Sequence, residues 1–331
     1  ATFCLDGIYE NGEALCVHNA ATGREAIMPH KVLPAEKHRK IIVIGAGPAG
    51  LEAARVAGER GHEVTVFEAM PKAGGQIALT VRNKRRQDFQ GVVDWRLAEL
   101  DRLGVEIIYD HIAEQEDISA LNPDVVIVAT GGLPQMPPLE KGAELAVTSW
   151  DVLSGEVIPQ GNVLLYDDNG THSALSTAEI IAQSGADLEI VTPERTLGVE
   201  IGGVNHVPYA RTFNETETRV TLNQRVMSAS KENDRLVVEL GSDHSSHRST
   251  REVDYLVVDH GTLPNADLYL ELKSLSCNQG EIDHNALLNG QPQPCFEDEQ
   301  ESFALYRIGD AVANRNIHAA IYDALRLMKD I

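Results

Sequence analysis

The stretch that most restricts the fold is residues 41–69, "IIVIGAGPAGLEAARVAGERGHEVTVFEA". It runs as an apolar strand, a glycine turn, an amphipathic helix and a second apolar strand, which is the rhythm of a parallel βαβ unit. Gly45 permits the sharp strand-to-helix turn, Gly47 lets the backbone approach a pyrophosphate, and Gly50 lets the helix close onto the sheet. Pro48 and Ala49 complete this turn. The helix start offers unpaired N–H groups and a partial positive charge, an anion site that needs no Lys or Arg. Glu68, followed by Ala69, ends the next strand, where a carboxylate accepts both hydroxyls of an adenosine ribose and repels a 2′-phosphate. An unphosphorylated adenine dinucleotide or ADP is implied; the alternative is a turn that serves packing alone.

The same rhythm continues. Strands are expected at 40–44, 63–67, 106–109 and 125–129, alternating with helices at 49–59 and 91–103, so an α/β doubly wound sheet follows. A second series begins at 162–166, with a helix at 176–184 and a strand at 188–192. It then turns to hairpin-like runs at 219–222, 236–239 and 255–259. A last helix at 319–329 returns to complete the first domain. The expected organisation is a leading segment 1–36, a nucleotide-binding domain from 37–155 and 263–331, and an inserted second nucleotide fold at 156–262.

Composition excludes several partners. The net charge of −22 disfavours nucleic acid and anionic membrane surfaces. No apolar run approaches the ~20 residues that a membrane span needs. The basic cluster "RNKRRQ" at 82–87 reads as a surface loop or helix start. The first residues lack the features of a signal peptide and no initiating Met precedes them, so the chain is expected to begin partway into a longer polypeptide. Four cysteines (Cys4, Cys16, Cys277, Cys295) are too few for a disulfide framework, and a reducing, cytoplasmic setting is expected.

Further pieces extend the nucleotide reading. Gly75 and Gln76 offer open backbone just past the ribose acid; Ala129, Thr130 and Gly131 end a buried strand; "HGTLPN" ends another; and Gly309 with Asp310 precedes a helix. Together they resemble the flavin disulfide reductases, a pair of Rossmann-like domains with the second inserted into the first. In that resemblance Asp310 meets the ribityl or pyrophosphate region. The helix opening at His318 and Ala319 points its positive end at the flavin ring. The plainer reading of Gly309 and Asp310 is a helix cap.

The second half departs from the pattern. Its strand is followed by Asp167, Asp168, Asn169 and one glycine, Gly170, so two carboxylates are expected where a pyrophosphate needs a cradle. Productive NAD(P)H binding is not expected there, and a scaffold role is. Asp167, Asp168 and His172 as metal ligands are weighed against a polar loop, and the loop is preferred. His206, in the proline-containing "IGGVNHVPYAR", reads as a structural residue in an irregular segment.

Cys4 and Cys16 alone cannot complete an iron–sulfur cluster. However, "FCLDGIYENGEALCVHNAATGREAIMPH" is similar to the end of the cluster motif in the trimethylamine dehydrogenase and dienoyl-CoA reductase family of NADH:flavin oxidoreductases. "PDVVIVATGGLP", "GGVNHVPYAR" and "RIGDAVANRNIHAAIYDALRLMKDI" resemble its dimethylglycine and N-methylproline demethylase branch more closely. The likeness covers the whole chain. It implies an FMN-bearing barrel and a 4Fe-4S cluster, with Cys4 and Cys16 as two of the cluster's metal ligands. It also implies electron delivery to an electron-transfer flavoprotein, and an oligomer. FAD is expected in the first domain, with ADP as the alternative, and no residue here is expected to be a catalytic acid or base. Two other readings stay open: a structural ADP-binding scaffold, and an NAD(P)H-dependent flavin reductase of the dienoyl-CoA reductase type.

Overall fold

The computed structural model describes residues 3–294 and 303–331. Its first sheet holds five parallel strands in the order Ala304–Arg307, Val125–Val128, Lys40–Ile44, Glu63–Phe67, Glu106–Ile108. The fingerprint strand Lys40–Ile44 lies at its centre. Side chains of a strand alternate between faces, so Ile41 and Val43 join one core while Ile42 and Ile44 join the other. The first core is closed by helices Pro48–Glu59, Gln90–Leu103 and Ile317–Met328, the second by Ile118, Tyr269 and Leu272. A strand buried on both faces reads as an uninterrupted apolar run, as "IIVI" does.

The second sheet is also parallel, in the order Val147–Thr148, Tyr255–Asp259, Asn162–Asp167, Asp187–Val191, Arg219–Thr221. One face carries helices His172–Gln183 and Gly203–Glu215. The other is covered by an antiparallel meander, Arg225–Glu232, Arg235–Ser242 and Ser245–Val253. The chain passes out of and back into the first unit through the antiparallel pair Gly132–Pro134 and Thr262–Pro264. The second unit is thus inserted between strands of the first, giving the expected α/β class.

Several local expectations need correction. Arg219–Thr221 and Tyr255–Asp259 are parallel strands of the second sheet, not hairpin arms. Of the three hairpin-like runs, 236–239 alone lies in the meander, whose other two strands the sequence reading missed. Val147–Thr148 pairs with Tyr255–Asp259, although the expected division placed 37–155 with the first unit. The segment around Cys4 is the helix Phe3–Asn11. The 201–211 segment is mostly the helix Gly203–Glu215, with Pro208 inside it at the loss of one backbone bond. No described helix is long and apolar enough to cross a membrane.

Candidate nucleotide site

The fingerprint turn is built by close backbone approach. Gly45 has φ +101°, and a Cβ on it would lie 2.5 Å from the Ala129 carbonyl oxygen. A Cβ on Gly50 would run into the Gly45 carbonyl, so the helix can sit this close to its strand only without a side chain there. Gly47 faces open space, its virtual Cβ meeting nothing nearer than the Gly75 Cα at 3.9 Å. As N-cap of the twelve-residue helix Pro48–Glu59 it supplies no side-chain acceptor, so the first N–H groups stay open to an anion.

A cleft of about 2300 Å³ opens in front of this turn. Gly45, Gly47, Pro48, Ala49, Glu68, Ala69, Gly75, Gln76, Ala129, Thr130, Gly131, Asp310 and His318 line it, whereas Gly50, Gly309 and Ala319 lie behind the lining. Glu68 is buried, and its two carboxylate oxygens accept the Ala46 N–H at 2.7 Å and the Met70 N–H at 2.8 Å. These bonds fix the carboxylate at the mouth of the turn while leaving lone pairs for further donors. Beyond it, the Phe67 and His111 rings stand 5.1 Å apart, and His111 approaches Asp117 at 2.9 Å. The sequence reading missed this wall, because single aromatic residues after a strand carry no motif.

At the other end, Asp310 accepts from Gln76 Nε2 at 3.0 Å and from the Arg315 N–H at 3.2 Å. Burial pushes its carboxyl up, against the pull of these donors. The helix Ile317–Met328 is capped by Asn316, whose side chain accepts the Ala319 N–H at 2.9 Å. His318 turns toward the N-terminal segment: its Nδ1 lies 2.7 Å from the Cys16 carbonyl oxygen, and its ring is 5.0 Å from that of Phe3. The Ala319 N–H and the His318 ring are therefore engaged within the protein.

Cys4 and Cys16 are free thiols, Cys4 exposed and Cys16 half-buried, and no group of three metal-ligating side chains occurs among the described residues. This chain alone supplies at most part of a cluster's ligand set. Cys277 is disulfide-bonded. Cys295 lies outside the described residues.

In the second unit the carboxylates do not face the cleft as expected. Asp167 is fully buried and folds under its own turn, accepting the N–H groups of Gly170 at 2.7 Å and Asn169 at 3.1 Å. Asp168 is directed to His260, at 2.9 Å, and Arg225, at 3.6 Å. The turn's anion-binding groups are thus occupied by an internal carboxylate. Burial dominates the Asp167 titration and, with Asp259 nearby, pushes it up to about 7 against the Gly170 and Asn169 bonds. A raised carboxyl favours the folded state below its unfolded value, and that contribution is lost as pH rises through about 7. Urea denaturation between pH 4 and pH 8 is accordingly expected to show a fall in stability that Asp167→Asn flattens.

The basic cluster opens the short helix Lys84–Phe89, and Arg82, Lys84, Arg85 and Gln87 are exposed while Asn83 and Arg86 are buried. Arg85 pairs with the buried Glu179 at 2.8 Å, and Arg86 is itself buried against Tyr209 and His172.

Residues 39–322 match the family described as pyridine nucleotide-disulphide oxidoreductase. The chain belongs to that family. It shares the nucleotide-binding fold of this oxidoreductase family. The chain is 50% identical over its full length to a probable N-methylproline demethylase of Rhizobium meliloti, covering 49% of that protein. It is 41% identical to an N,N-dimethylglycine/sarcosine dehydrogenase of Chromohalobacter salexigens, again over the full chain and 49% of the relative. The resemblance to the demethylase branch therefore holds, and the chain spans about half the length of these curated relatives. In fold it is similar to histamine dehydrogenase from Rhizobium sp. 4-9, with TM-score 0.80 and 22% identity, over 98% of this chain and 49% of the other.

Proposed function

We propose that this chain is the nucleotide-binding, electron-carrying portion of an amine demethylase acting on N-methyl amino acids such as dimethylglycine or N-methylproline. The observation that carries the reading is the 50% identity, without a break in coverage of this chain, to the Rhizobium meliloti relative. In this reading an FMN-bearing barrel and a 4Fe-4S cluster belong to the part of the enzyme beyond this chain. Cys4 and Cys16 contribute two thiolates to the cluster, and an electron-transfer flavoprotein accepts the electrons. The cleft before the Gly45 turn takes FAD, whose flavin supplies one- and two-electron chemistry when bound. Gly47 and the helix start receive the pyrophosphate, Glu68 the ribose, and Asp310 with Gln76 the far end.

A structural ADP is the second reading. It is favoured by the Asn316 cap on the Ala319 N–H and by the His318 Nδ1 contact with the Cys16 carbonyl, which leave the flavin end of the site with fewer open donors. A pyridine-nucleotide-driven reductase is opposed by Asp167, which closes the second turn.

The visible spectrum of the purified chain, followed by denaturation and mass identification of the released nucleotide, tests these readings. FAD with a flavin band that NADH and NADPH fail to bleach is expected. ADP without a band transfers the role to the scaffold reading, and release of no adenine nucleotide overturns both.

A further inference from the structure

The N-terminal segment touches both units of the fold. On the Cys16 side it rests on the first unit: His318 Nδ1 lies 2.7 Å from the Cys16 carbonyl oxygen, and Arg96 Nη2 donates to the His18 carbonyl at 2.9 Å. Phe3 adds a ring contact with His318, at 5.0 Å. On the Cys4 side the helix Phe3–Asn11 reaches the inserted unit. Asp6 accepts from Asn205 Nδ2 at 2.8 Å, and its carboxylate lies against Gly202, the N-cap of the thirteen-residue helix Gly203–Glu215. A Cβ on Gly202 would fall on that carboxylate.

Two features mark the Asp6 contact as a built one. Gly202 has φ −58° and ψ 148°, a conformation open to any residue, so its backbone does not call for glycine. The neighbouring Gly203 has nothing within 4 Å of a virtual Cβ, so what excludes a side chain at 202 is Asp6. The second feature is electrostatic. The helix Gly203–Glu215 receives no side-chain cap bond from its own N-cap, and its opening N–H groups carry the partial positive charge that a carboxylate offsets. In a chain of net charge −22, with Glu10 and Glu13 of the same segment lining the cleft, that helix end is a counter-charge able to hold an acidic helix. The nucleotide turn of this unit is closed by Asp167, and anchoring a helix requires nothing of that turn.

We infer that Asp6 is a positioning residue: seated on the opening of helix Gly203–Glu215, it fixes the Cys4 helix to the inserted unit, so the placement of Cys4 relative to Cys16 depends on how the two units sit against each other. The two thiols are held from different units, Cys16 through His318 and Arg96, Cys4 through Asp6. The inserted unit is thus the arm that presents Cys4, and a change of angle between the units is transmitted to the thiol pair. What this means for a cluster rests on the reading of Cys4 and Cys16 as its ligands; the anchoring does not.

The test uses the whole chain with nitroxide labels on its free thiols, Cys4 and Cys16, attached without reductant so that the Cys277 disulfide stays closed. Peptide mass mapping verifies the labelled positions. Double electron–electron resonance is expected to give a narrow distance distribution in the unaltered chain and a broad one in Asp6→Ala and in Gly202→Ala. Gly203→Ala, whose added methyl meets nothing, is expected to keep the narrow one. Hydrogen exchange of the unlabelled chains is expected to be at least about tenfold faster at the amides of residues 7–11 in both broadened variants. The double variant Asp6→Ala with Gly202→Ala should be no broader than either single one, because both act through one contact. Circular dichroism and the urea midpoint establish that each variant is folded. A distribution in folded Asp6→Ala and Gly202→Ala as narrow as in the unaltered chain, a broad one in the unaltered chain, or additive broadening in the double variant overturns the inference. None of these readouts needs a flavin, a cluster or an amine, so release of ADP, or of no nucleotide, leaves them decisive.

Discussion

Glu68→Ala is expected to strip the chain of its adenine nucleotide. Two losses combine. The carboxylate that would face the ribose is removed, and the N–H groups of Ala46 and Met70 lose the acceptor that now holds them at 2.7 and 2.8 Å. Ala46 belongs to the glycine turn itself, so its orphaned N–H loosens the cradle as well as the ribose contact. Affinity for ADP should fall by at least about 100-fold, equivalent to about 2.7 kcal/mol. Inorganic pyrophosphate has no ribose, so its weaker binding should fall by much less. Competition titration with the two ligands separates these effects, and equal losses for both would place the role of Glu68 in the turn alone. Unchanged ADP affinity would remove Glu68 from the site altogether.

That site was legible because each of its parts has a local cause. A strand buried on both faces must be an apolar run, a helix pressed on its strand must begin without Cβ atoms, and the acid that ends the next strand accepts an N–H of the turn. Lys40–Ile44 and Glu63–Phe67 therefore fall where the sequence places them. What failed depends on tertiary partners. A five-residue apolar strand such as Tyr255–Asp259 has the same pattern in a hairpin as in a parallel sheet, and only the neighbouring strands decide between them. Ser245–Val253, "SSHRSTREV", is largely exposed and lacks apolar alternation, so nothing in it announced a strand. Asp167 was placed at the right turn but with the wrong direction, because a carboxylate two residues before free N–H groups can fold back onto them as readily as face a ligand. Arg86 looked like surface because its burial is created by Tyr209 and His172, which are distant in sequence.

Glu52→Ala is expected to give the largest loss of stability of any single change considered. Glu52 lies in the fingerprint helix, 3% exposed, and is the shared counter-charge of Arg55 and Arg96. Its removal leaves two buried guanidiniums, with Glu59 the remaining partner of Arg55 and carbonyls those of Arg96. Breaking a buried ion pair from one side costs about 3–5 kcal/mol, so the urea midpoint should fall markedly with little change in slope. Burial pushes the Glu52 carboxyl up, but Arg96 and Arg55 outweigh it and hold it below the ordinary range. Its stabilisation is therefore present above the unfolded value and lost as pH falls through the folded one, a slope that Glu52→Gln should abolish. The consequence extends to the N-terminal segment. Arg96 also donates to the His18 carbonyl at 2.9 Å, and the His18 N–H approaches Cys16 Sγ at 3.4 Å, so the helix that opens at the nucleotide turn holds the Cys16 segment through Glu52 and Arg96. Alkylation of Cys16 should accelerate in Glu52→Ala under conditions where the variant remains folded, and an unchanged rate would mean that the segment is held by the His318 contact instead.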